Sequence, residues 1–183
     1  MRICGGEAKG RTLIFTSRST QRPTTDFLRE ALFNVLKRQE NESFLDLFAG
    51  SGSVGLEAAS RGAKHIAFVE KTKLLVDILR KNIATCGYEE KCLIIHADIH
   101  LALKNLSIRK SCYDVIFADP PYNEGFLGET LNTLYKNPVW EGNSLIVLQH
   151  SIREPLPQLA EGWHVADQRK YGDNVLTFIR TGN

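Results

Sequence analysis

The chain has 183 residues, 43% of them apolar and 24% charged, with a net charge of +2 at neutral pH. This balance excludes a disordered or fibrous chain, and it predicts one compact domain whose core needs neither disulfides nor a structural metal. No stretch approaches the roughly 20 consecutive apolar residues of a membrane span, and the first residues lack the apolar core of a signal peptide, so we expect a soluble protein of the cytoplasm.

The first 40 residues differ in charge from the rest of the chain. They contain eight basic and four acidic side chains, a local charge of +4, whereas residues 41–183 carry a charge of −2. A basic lobe is typical of a segment that binds a polyanion, but a solvated face has the same composition, and charge alone leaves both interpretations open. Within the lobe, residues 1–15 have glycines between apolar positions and predict a small hairpin.

A helix is predicted to open at residues 22–26. Thr24 or Thr25 can cap it, and Asp26 suits the positive end of its dipole. The predicted apolar stripe of this helix consists of Phe27, Leu28, Ala31, Leu32, Val35 and Leu36.

After residue 42, short apolar runs alternate with longer amphipathic segments, a rhythm that predicts a parallel sheet covered by helices. The predicted strands cover residues 44–48, 65–69, 93–95, 115–118 and 145–148. The predicted helices cover residues 54–60, 72–86, 99–106 and 128–135. In the second of these, the stripe is Leu74, Leu75, Ile78, Leu79, Asn82 and Ile83. Finally, residues 163–171 and 175–180 flank a Gly-Asp-Asn turn, which predicts an antiparallel hairpin at or near the sheet edge.

A glycine loop lies between the first strand and its helix. Gly50, Gly52 and Gly55 form a G-x-G-x-x-G pattern, which at a strand-to-helix turn lets the backbone approach a nucleotide-like ligand. Glu70 follows Gly50 by 20 residues, at the end of the second strand, where its carboxylate can accept hydrogen bonds from ribose hydroxyls. This spacing fits NAD as well as other adenosine cofactors, and the alternative is that the glycines serve only tight packing.

Two further acids distinguish between these cofactors. Asp46 places a negative charge beside the loop, which is unfavourable for a pyrophosphate and favourable for a cationic ligand. S-adenosylmethionine fits, because it carries a sulfonium and an ammonium and has no phosphate. Asp98 follows the third strand, where it can bind the adenine amino group while the backbone at Ile99 meets the ring, or it can cap the next helix; the two roles are compatible.

The fourth strand runs directly into the tetrapeptide Asp119-Pro120-Pro121-Tyr122, at the end where open α/β sheets bind ligands. The two prolines fix the backbone and remove two amide donors, which leaves the Asp119 carboxylate and the Pro120 carbonyl as acceptors. Such acceptors can hold the hydrogens of an exocyclic base amine while its lone pair attacks an electrophile, and Tyr122 can stack on the base. A turn that merely ends the strand is the alternative.

Neither the cysteines nor the histidines are spaced to hold a metal. His96 and His100 flank Asp98, but this stretch spans a strand end and a helix start rather than one continuous helix. We expect no metal, and we expect the four cysteines, which lack C-x2-C spacing, to be buried reduced thiols at positions 4, 86, 92 and 112.

With both motifs, the sequence resembles the class I S-adenosylmethionine-dependent methyltransferases and, more narrowly, the bacterial RsmD family of 16S rRNA guanine-N2 methyltransferases. The resemblance is carried by residues 3–6, 9–13, 22–36 and 46–63, by Glu70 and Asn82, and by the tetrapeptide. It implies a Rossmann-like class I methyltransferase fold, with a mostly parallel seven-stranded sheet, a C-terminal antiparallel hairpin and a small N-terminal hairpin and helix. We expect residues 1–21 to form a basic hairpin extension and residues 22–183 the methyltransferase domain.

The resemblance implies methylation of the N2 amine of a guanine in 16S rRNA, at the guanine-966-type site, by a monomer acting on an assembling small ribosomal subunit. The residues expected to be catalytic are Asp119, Pro120 and Tyr122. Those expected to contact the cofactor are Asp46, Phe48, Gly50, Ser51, Gly52, Glu70, Lys71, Asp98, Ile99 and Asp119. Those expected to contact RNA are Lys9, Arg11, Arg18 and Arg22.

One position departs from the family pattern. Gln149 follows the fifth strand, where an acid is expected in many relatives, and we expect little effect because Gln149 is not one of the transfer groups. Three other functions fit parts of the sequence. The glycine loop and Glu70 fit a nicotinamide-dependent oxidoreductase, the tetrapeptide fits an adenine-N6 DNA methyltransferase, and the basic lobe fits a non-catalytic RNA-binding module.

Overall fold

The computed structural model describes residues 1–16, 25–37, 42–122 and 125–182, which form two compact units, Met1–Ala97 and Asp98–Asn183. The helices are α1 (Asp26–Leu36), α2 (Ser53–Ser60), α3 (Lys73–Cys86), α4 (Ile99–Ile108) and α5 (Phe126–Lys136), with a 3-10 turn at Glu89–Lys91. The strands are β1 (Ser43–Asp46), β2 (His65–Glu70), β3 (Cys92–His96), β4 (Val115–Ala118), β5 (Leu145–Ser151), β6 (Trp163–Tyr171) and β7 (Asn174–Thr181). Among the described residues, no helix combines the length and apolar character needed to cross a membrane.

The described part of the first unit contains three parallel strands and three helices. Strand β2 lies between β1 and β3, and its burial on both faces explains its nearly continuous apolar sequence. Helix α2 is buried along its whole length, which explains why it is rich in small residues. Helix α3 is capped after Cys86 by Gly87, whose φ of 72° is the left-handed conformation that glycine adopts without strain.

The predicted N-terminal hairpin is an antiparallel turn with a single bridge between Arg2 and Thr12. It packs on α2, because the backbone N–H of Glu7 donates to Ser60 O at 2.8 Å and that of Ala8 donates to Ser60 Oγ at 2.9 Å. The first of these bonds satisfies a carbonyl at the end of the helix that has no partner within it. The predicted boundary between an extension and the methyltransferase domain falls in residues 17–24, outside the described residues, and stays a prediction.

The described residues of the second unit form four strands and two helices. Strands β4 and β5 are parallel, β7 is antiparallel to β5, and β6 is antiparallel to β7. The predicted C-terminal hairpin is confirmed, with Gly172 and Asp173 as its two-residue turn and a φ of 61° at the glycine. The strand order of the seven-stranded sheet is β3-β2-β1-β4-β5-β7-β6, which puts β6 at an edge, as the sequence predicts.

Two details of the helix stripes are wrong. Phe27 in α1 is 67% exposed, whereas Arg29 is fully buried and its Nε lies 3.3 Å from Glu57 Oε2 of α2. The stripe of α1 is rotated because this paired guanidinium, rather than an apolar side chain, occupies the buried position. Leu74 in α3 is also exposed, whereas Val76 is buried in its place.

The predicted cap of α1 is confirmed at Thr25, whose Oγ1 accepts from the N–H of Leu28 at 3.2 Å.

The cysteines and two strand ends also differ from expectation. All four cysteines are free, as predicted, but only Cys86 is buried and Cys112 is exposed. Burial raises the pKa of the Cys86 thiol, which keeps it protonated. The first strand ends at Asp46 because the loop turns there, and the fifth strand extends to Ser151 because β7 continues to pair with it.

Candidate functional site

The glycine loop in the first unit starts directly after β1 and leads into α2. The N–H of Gly52 donates to Ala49 O at 2.7 Å, and Gly50 and Gly52 have φ values of 55° and 83°. Residues other than glycine adopt this left-handed backbone conformation only with strain. A Cβ at Gly55 would clash with the ring of Phe68 on β2, whereas a Cβ at Gly50 would meet no atom within 4 Å. Gly55 therefore serves packing, and Gly50 borders open space.

Glu70 closes the loop from the end of β2. Its Oε2 accepts from the N–H of Gly50 at 2.9 Å, and its Oε1 accepts from the N–H of Thr72 at 2.7 Å. The carboxylate thus fixes the loop backbone while each oxygen retains a second lone pair for a ligand. The predicted place of this acid, 20 residues after the first loop glycine and at the end of the second strand, is confirmed. Its role toward ribose hydroxyls stays a prediction.

Asp46 occupies the amino end of α2. Its Oδ2 accepts from the N–H of Gly55 at 3.2 Å, and its side chain is only 2% exposed. Burial raises the pKa of Asp46 to about 7, and the nearby charge of Glu70 adds to the effect, although backbone hydrogen bonds from Gly55 and Phe48 oppose it. A helix amino end is the place where a pyrophosphate would bind, and here a carboxylate already accepts from it.

These two acids determine which ligands fit the glycine loop. A dinucleotide would bring its negative phosphates against Asp46, while a cation there would relieve the repulsion between Asp46 and Glu70. The residues present therefore fit S-adenosylmethionine, whose charged groups are an ammonium, a sulfonium and one carboxylate, better than they fit NAD. Gly50 leaves the backbone accessible to such a ligand, since a Cβ there would meet open space, whereas a Cβ at Gly52 would clash with Leu79.

Asn82 connects the loop to the N-terminal segment. Its Nδ2 donates to Ser51 O at 2.8 Å and to Ile14 O at 3.0 Å, and its Oδ1 accepts from the N–H of Ile14 at 2.7 Å. The side chain is fully buried. The sequence placed Asn82 in a helix stripe and in the family pattern, and an amide among apolar stripe residues was the signal that it binds backbone groups. Asn82 on α3 therefore fixes the backbone of Ser51 in the glycine loop.

The tetrapeptide in the second unit leaves β4 at Ala118, as predicted. Asp119 is half-buried, and its Oδ2 accepts from the Nε2 of Gln149 at 2.9 Å. The same nitrogen donates to Tyr122 Oη at 2.9 Å, and Tyr122 donates onward to Asn174 Oδ1 at 3.0 Å. Burial raises the pKa of Tyr122, and the negative charge of Asp119 raises it further, so the hydroxyl remains a donor. Pro120 is buried beside these groups in the chain.

Sequence reasoning missed Gln149 and Asn174 as parts of this site. Gln149 lies inside β5, not after it, and the expectation that it has little effect is at odds with its contacts to both Asp119 and Tyr122. A polar residue ending an apolar strand run was the available signal. Asn174 is the first residue of β7, and only the pairing of β5 with β7 brings it to Tyr122.

The remaining predicted cofactor contacts have ordinary local roles in the structure. Asp98 is exposed and its Oδ1 accepts from the N–H of Leu101 at 2.9 Å, which confirms the cap interpretation. Ile99 is buried as the first residue of α4, Lys71 is exposed, and Phe48 is half-buried in the turn after β1. Their contacts with a cofactor stay predictions.

Two of the four predicted RNA contacts lie in the described residues. Lys9 and Arg11 are exposed on the N-terminal hairpin, and the guanidinium of Arg11 donates to Thr85 O at the end of α3. Arg18 and Arg22 lie outside the described residues.

The histidine pair considered for a metal has other contacts. His96 Nε2 lies 3.2 Å from Lys71 O, and His100 Nε2 lies 2.7 Å from Glu129 Oε1. Within the described ranges, no cluster of three or more His, Cys, Asp or Glu side chains is arranged to hold a metal ion.

Comparison with known proteins gives concordant results. Over residues 1–180 the chain matches the family described as conserved hypothetical protein 95. It is 33% identical over 173 residues to ribosomal RNA small subunit methyltransferase D of Escherichia coli K12, covering 94% of this chain and 85% of that protein. The protein of the same name from Buchnera aphidicola (subsp. Acyrthosiphon pisum) is 36% identical over 156 residues, covering 84% and 80%. The solved structure of a hypothetical protein from Thermus thermophilus is 33% identical, with a TM-score of 0.85 and coverage of 98% and 99%.

Proposed function

The chain belongs to the family of ribosomal RNA small subunit methyltransferase D, the RsmD family, and on that premise we propose that it transfers a methyl group from S-adenosylmethionine to the N2 amine of a guanine in 16S rRNA. Its fold is the Rossmann-like class I methyltransferase fold that the sequence predicts. The observation that carries the proposal is the acceptor group at the end of β4, where Asp119 and Tyr122 are held together by one buried amide.

The first unit would hold the cofactor. Asp46 would attract its positive charge, Glu70 would accept from the ribose hydroxyls, and Gly50, which borders open space, would let the backbone approach. When bound, S-adenosylmethionine supplies an electrophilic methyl carbon on a sulfonium. Asp98 and Ile99 of the second unit would contact the adenine. No residue of this set needs to form a covalent bond.

The second unit would hold the acceptor base. The Asp119 carboxylate and the Pro120 carbonyl would accept the two hydrogens of the amine and direct its lone pair to the methyl carbon, while Tyr122 stacks on the ring. The N–C bond would form as the S–C bond breaks, the sulfur electron pair would leave with S-adenosylhomocysteine, and the methylated nitrogen would then lose one proton to water. The protein contributes alignment and electrostatic stabilisation.

The RNA would meet the basic N-terminal segment. Lys9 and Arg11 are exposed on the hairpin, and Arg18 and Arg22 follow in the sequence. Phosphate contacts from such residues give affinity without reading the sequence, so the shape of the RNA, within an assembling small subunit, would select the site. The target base must leave its stack to reach the acceptors, which costs least where the RNA is unpaired. We propose that the protein binds and methylates the RNA as a monomer.

The test is methyl transfer to small-subunit particles from cells that lack the gene. Purified protein is incubated with labelled S-adenosylmethionine and these particles, and the nucleosides of the 16S rRNA are identified by mass spectrometry. We expect one N2-methylguanosine. N6-methyladenosine, or transfer to DNA instead, would support the adenine alternative. Tight binding of NADH without binding of S-adenosylmethionine would overturn the assignment in favour of an oxidoreductase, and cofactor binding without transfer to any RNA would favour a binding module.

A further inference from the structure

The side-chain amide of Gln149 joins the two side chains on which the proposed transfer depends. Its Nε2 lies 2.9 Å from Asp119 Oδ2 and 2.9 Å from Tyr122 Oη. Gln149 is 2% exposed, so its amide is shielded from water and depends on these two acceptors for hydrogen bonds. Because an amide nitrogen carries two hydrogens, this one group can donate to both acceptors at once.

The sheet explains why these residues meet. Strands β4 and β5 are parallel and in register, so Asp119 and Gln149 lie side by side where β4 ends. Strand β7 runs antiparallel to β5 and starts at this end, which brings Asn174 within 3.0 Å of the hydroxyl of Tyr122. A chain of hydrogen bonds thus runs from Asp119 to Asn174 through Gln149 and Tyr122.

Resting on the methyl transfer proposed above, we propose that Gln149 is a positioning residue that holds Asp119 and Tyr122 in one arrangement for the incoming base. A carboxylate that accepts no fixed bond can rotate broadly about its last torsion, and the bond from Gln149 restricts that rotation. The Tyr122 hydroxyl accepts from Gln149 and donates to Asn174, which also restricts the plane of its ring. Acceptors arranged in advance need no reorganisation when the amine arrives.

The neutrality of Gln149 is part of this role. A glutamate here would bring a second carboxylate against Asp119, and the pair would then share a proton, because two negative charges at hydrogen-bond distance repel. Among the residues that the structure describes, the other ionisable groups near this point are Tyr122 and Glu154, whose negative charge acts on Tyr122. His150, the next residue of β5, bonds instead to β7 and to backbone carbonyls. A glutamate variant therefore makes the arrangement of Asp119 depend on pH.

Three variants test this role. Gln149→Met keeps the length of the side chain and removes both donors, and Gln149→Glu replaces the donor by an acid. Gln168→Met is the matched control, since Gln168 also donates from its amide, to Thr177 at 2.9 Å, but lies in the hairpin strand β6. The kcat of each variant is measured at saturating concentrations of cofactor and RNA, over the range from about pH 6 to about pH 9. The Kd for S-adenosylmethionine and the midpoint temperature of thermal unfolding are measured as well.

We expect Gln149→Met to lower kcat about 100-fold at every pH, since small misplacements of reacting groups cost about this much, with an unchanged Kd for the cofactor. Gln149→Glu should be equally slow at high pH and should recover at least tenfold as the pH falls, because its protonated acid again donates to Asp119. Wild-type kcat in both variants would overturn the role of Gln149. If Gln149→Met does not fold, the pH profile of Gln149→Glu decides alone. A wild-type protein that transfers no methyl group would instead overturn the proposed function.

Discussion

The glycine loop and the tetrapeptide are built in different ways. In the loop, two buried acids hold backbone amides, as Asp46 does at Gly55 and Glu70 does at Gly50. In the tetrapeptide, the bonds run between side chains, from Gln149 to Asp119 and Tyr122. A backbone cradle fixes the place of a ligand, whereas a side-chain network fixes the direction of the acceptor groups. Changes in the first should therefore weaken cofactor binding, and changes in the second should slow transfer.

The largest expected effect is the loss of the Asp119 carboxylate. Asp119→Ala should lower kcat about 1,000-fold or more, because it removes the acceptor that orients the amine, and should change the Kd for S-adenosylmethionine by less than about threefold. Single-turnover methyl transfer and calorimetric titration measure the two quantities. Glu161→Gln, an exposed acid before β6, is the control for a lost charge. Near-wild-type turnover in Asp119→Ala would contradict the separation between the two regions.

Glu70→Ala should show the reverse pattern. The variant loses the acceptor of two backbone bonds and the proposed ribose contact, so we expect Kd for S-adenosylmethionine to rise about 100-fold, or about 2.7 kcal/mol, with kcat at saturation within about threefold of wild type. Glu70→Gln keeps one acceptor oxygen and should raise Kd only about tenfold. A fall in kcat without a change in Kd would show that the loop serves transfer rather than binding.

Within the glycine loop, Gly50 and Gly55 have different expected roles, and replacing them should have smaller effects than the changes above. Gly55→Ala places a Cβ against Phe68 in a packed core, and we expect it to lower the free energy of unfolding by about 2 kcal/mol. Gly50→Ala meets open space and carries mainly the cost of its left-handed backbone, about 1 kcal/mol, but its Cβ would enter the space proposed for the ligand. Urea unfolding and cofactor titration of both variants measure this. Equal losses of stability, with equal cofactor affinity, would contradict distinct roles for the two glycines.

The difference between the glycine loop and the tetrapeptide also explains how much of the molecule could be predicted from the sequence. Short-range sequence patterns predicted the strand over residues 115–118, the hairpin strand Trp163–Tyr171 and the loop with its acid at Glu70. The structure confirms all three. Each of these features depends on residues close together in the chain, or on a spacing set by one strand and one helix. The positions of the loop glycines and of Glu70 in the first unit were therefore predictable, whereas their contacts with a cofactor stay predictions.

The network in the second unit was not predictable in this way. Gln149 and Asn174 reach Tyr122 only because β7 returns antiparallel to β5, and no local pattern encodes which polar atom meets which across strands. The burial of Arg29 has the same origin, since its partner Glu57 comes from another helix. Periodicity identifies a buried face of a helix, but the partner that permits a charge on that face depends on tertiary packing.

The smallest expected effect is the pH dependence of cofactor binding through Asp46. Its pKa of about 7, against an ordinary value of 3.8, means that the ligand-free protein is protonated there at pH 6 and ionised at pH 8. A cationic ligand favours the ionised form, so binding releases this proton and affinity falls with decreasing pH, by about tenfold between pH 8 and pH 6. The ligand's own amino group titrates nearby, and Asp46→Asn, which keeps the shape without the titrating group, reports that contribution alone. Calorimetric titration of both proteins at each pH should show a steeper fall for the wild type, and parallel curves would mean that Asp46 carries no charge interaction with the cofactor.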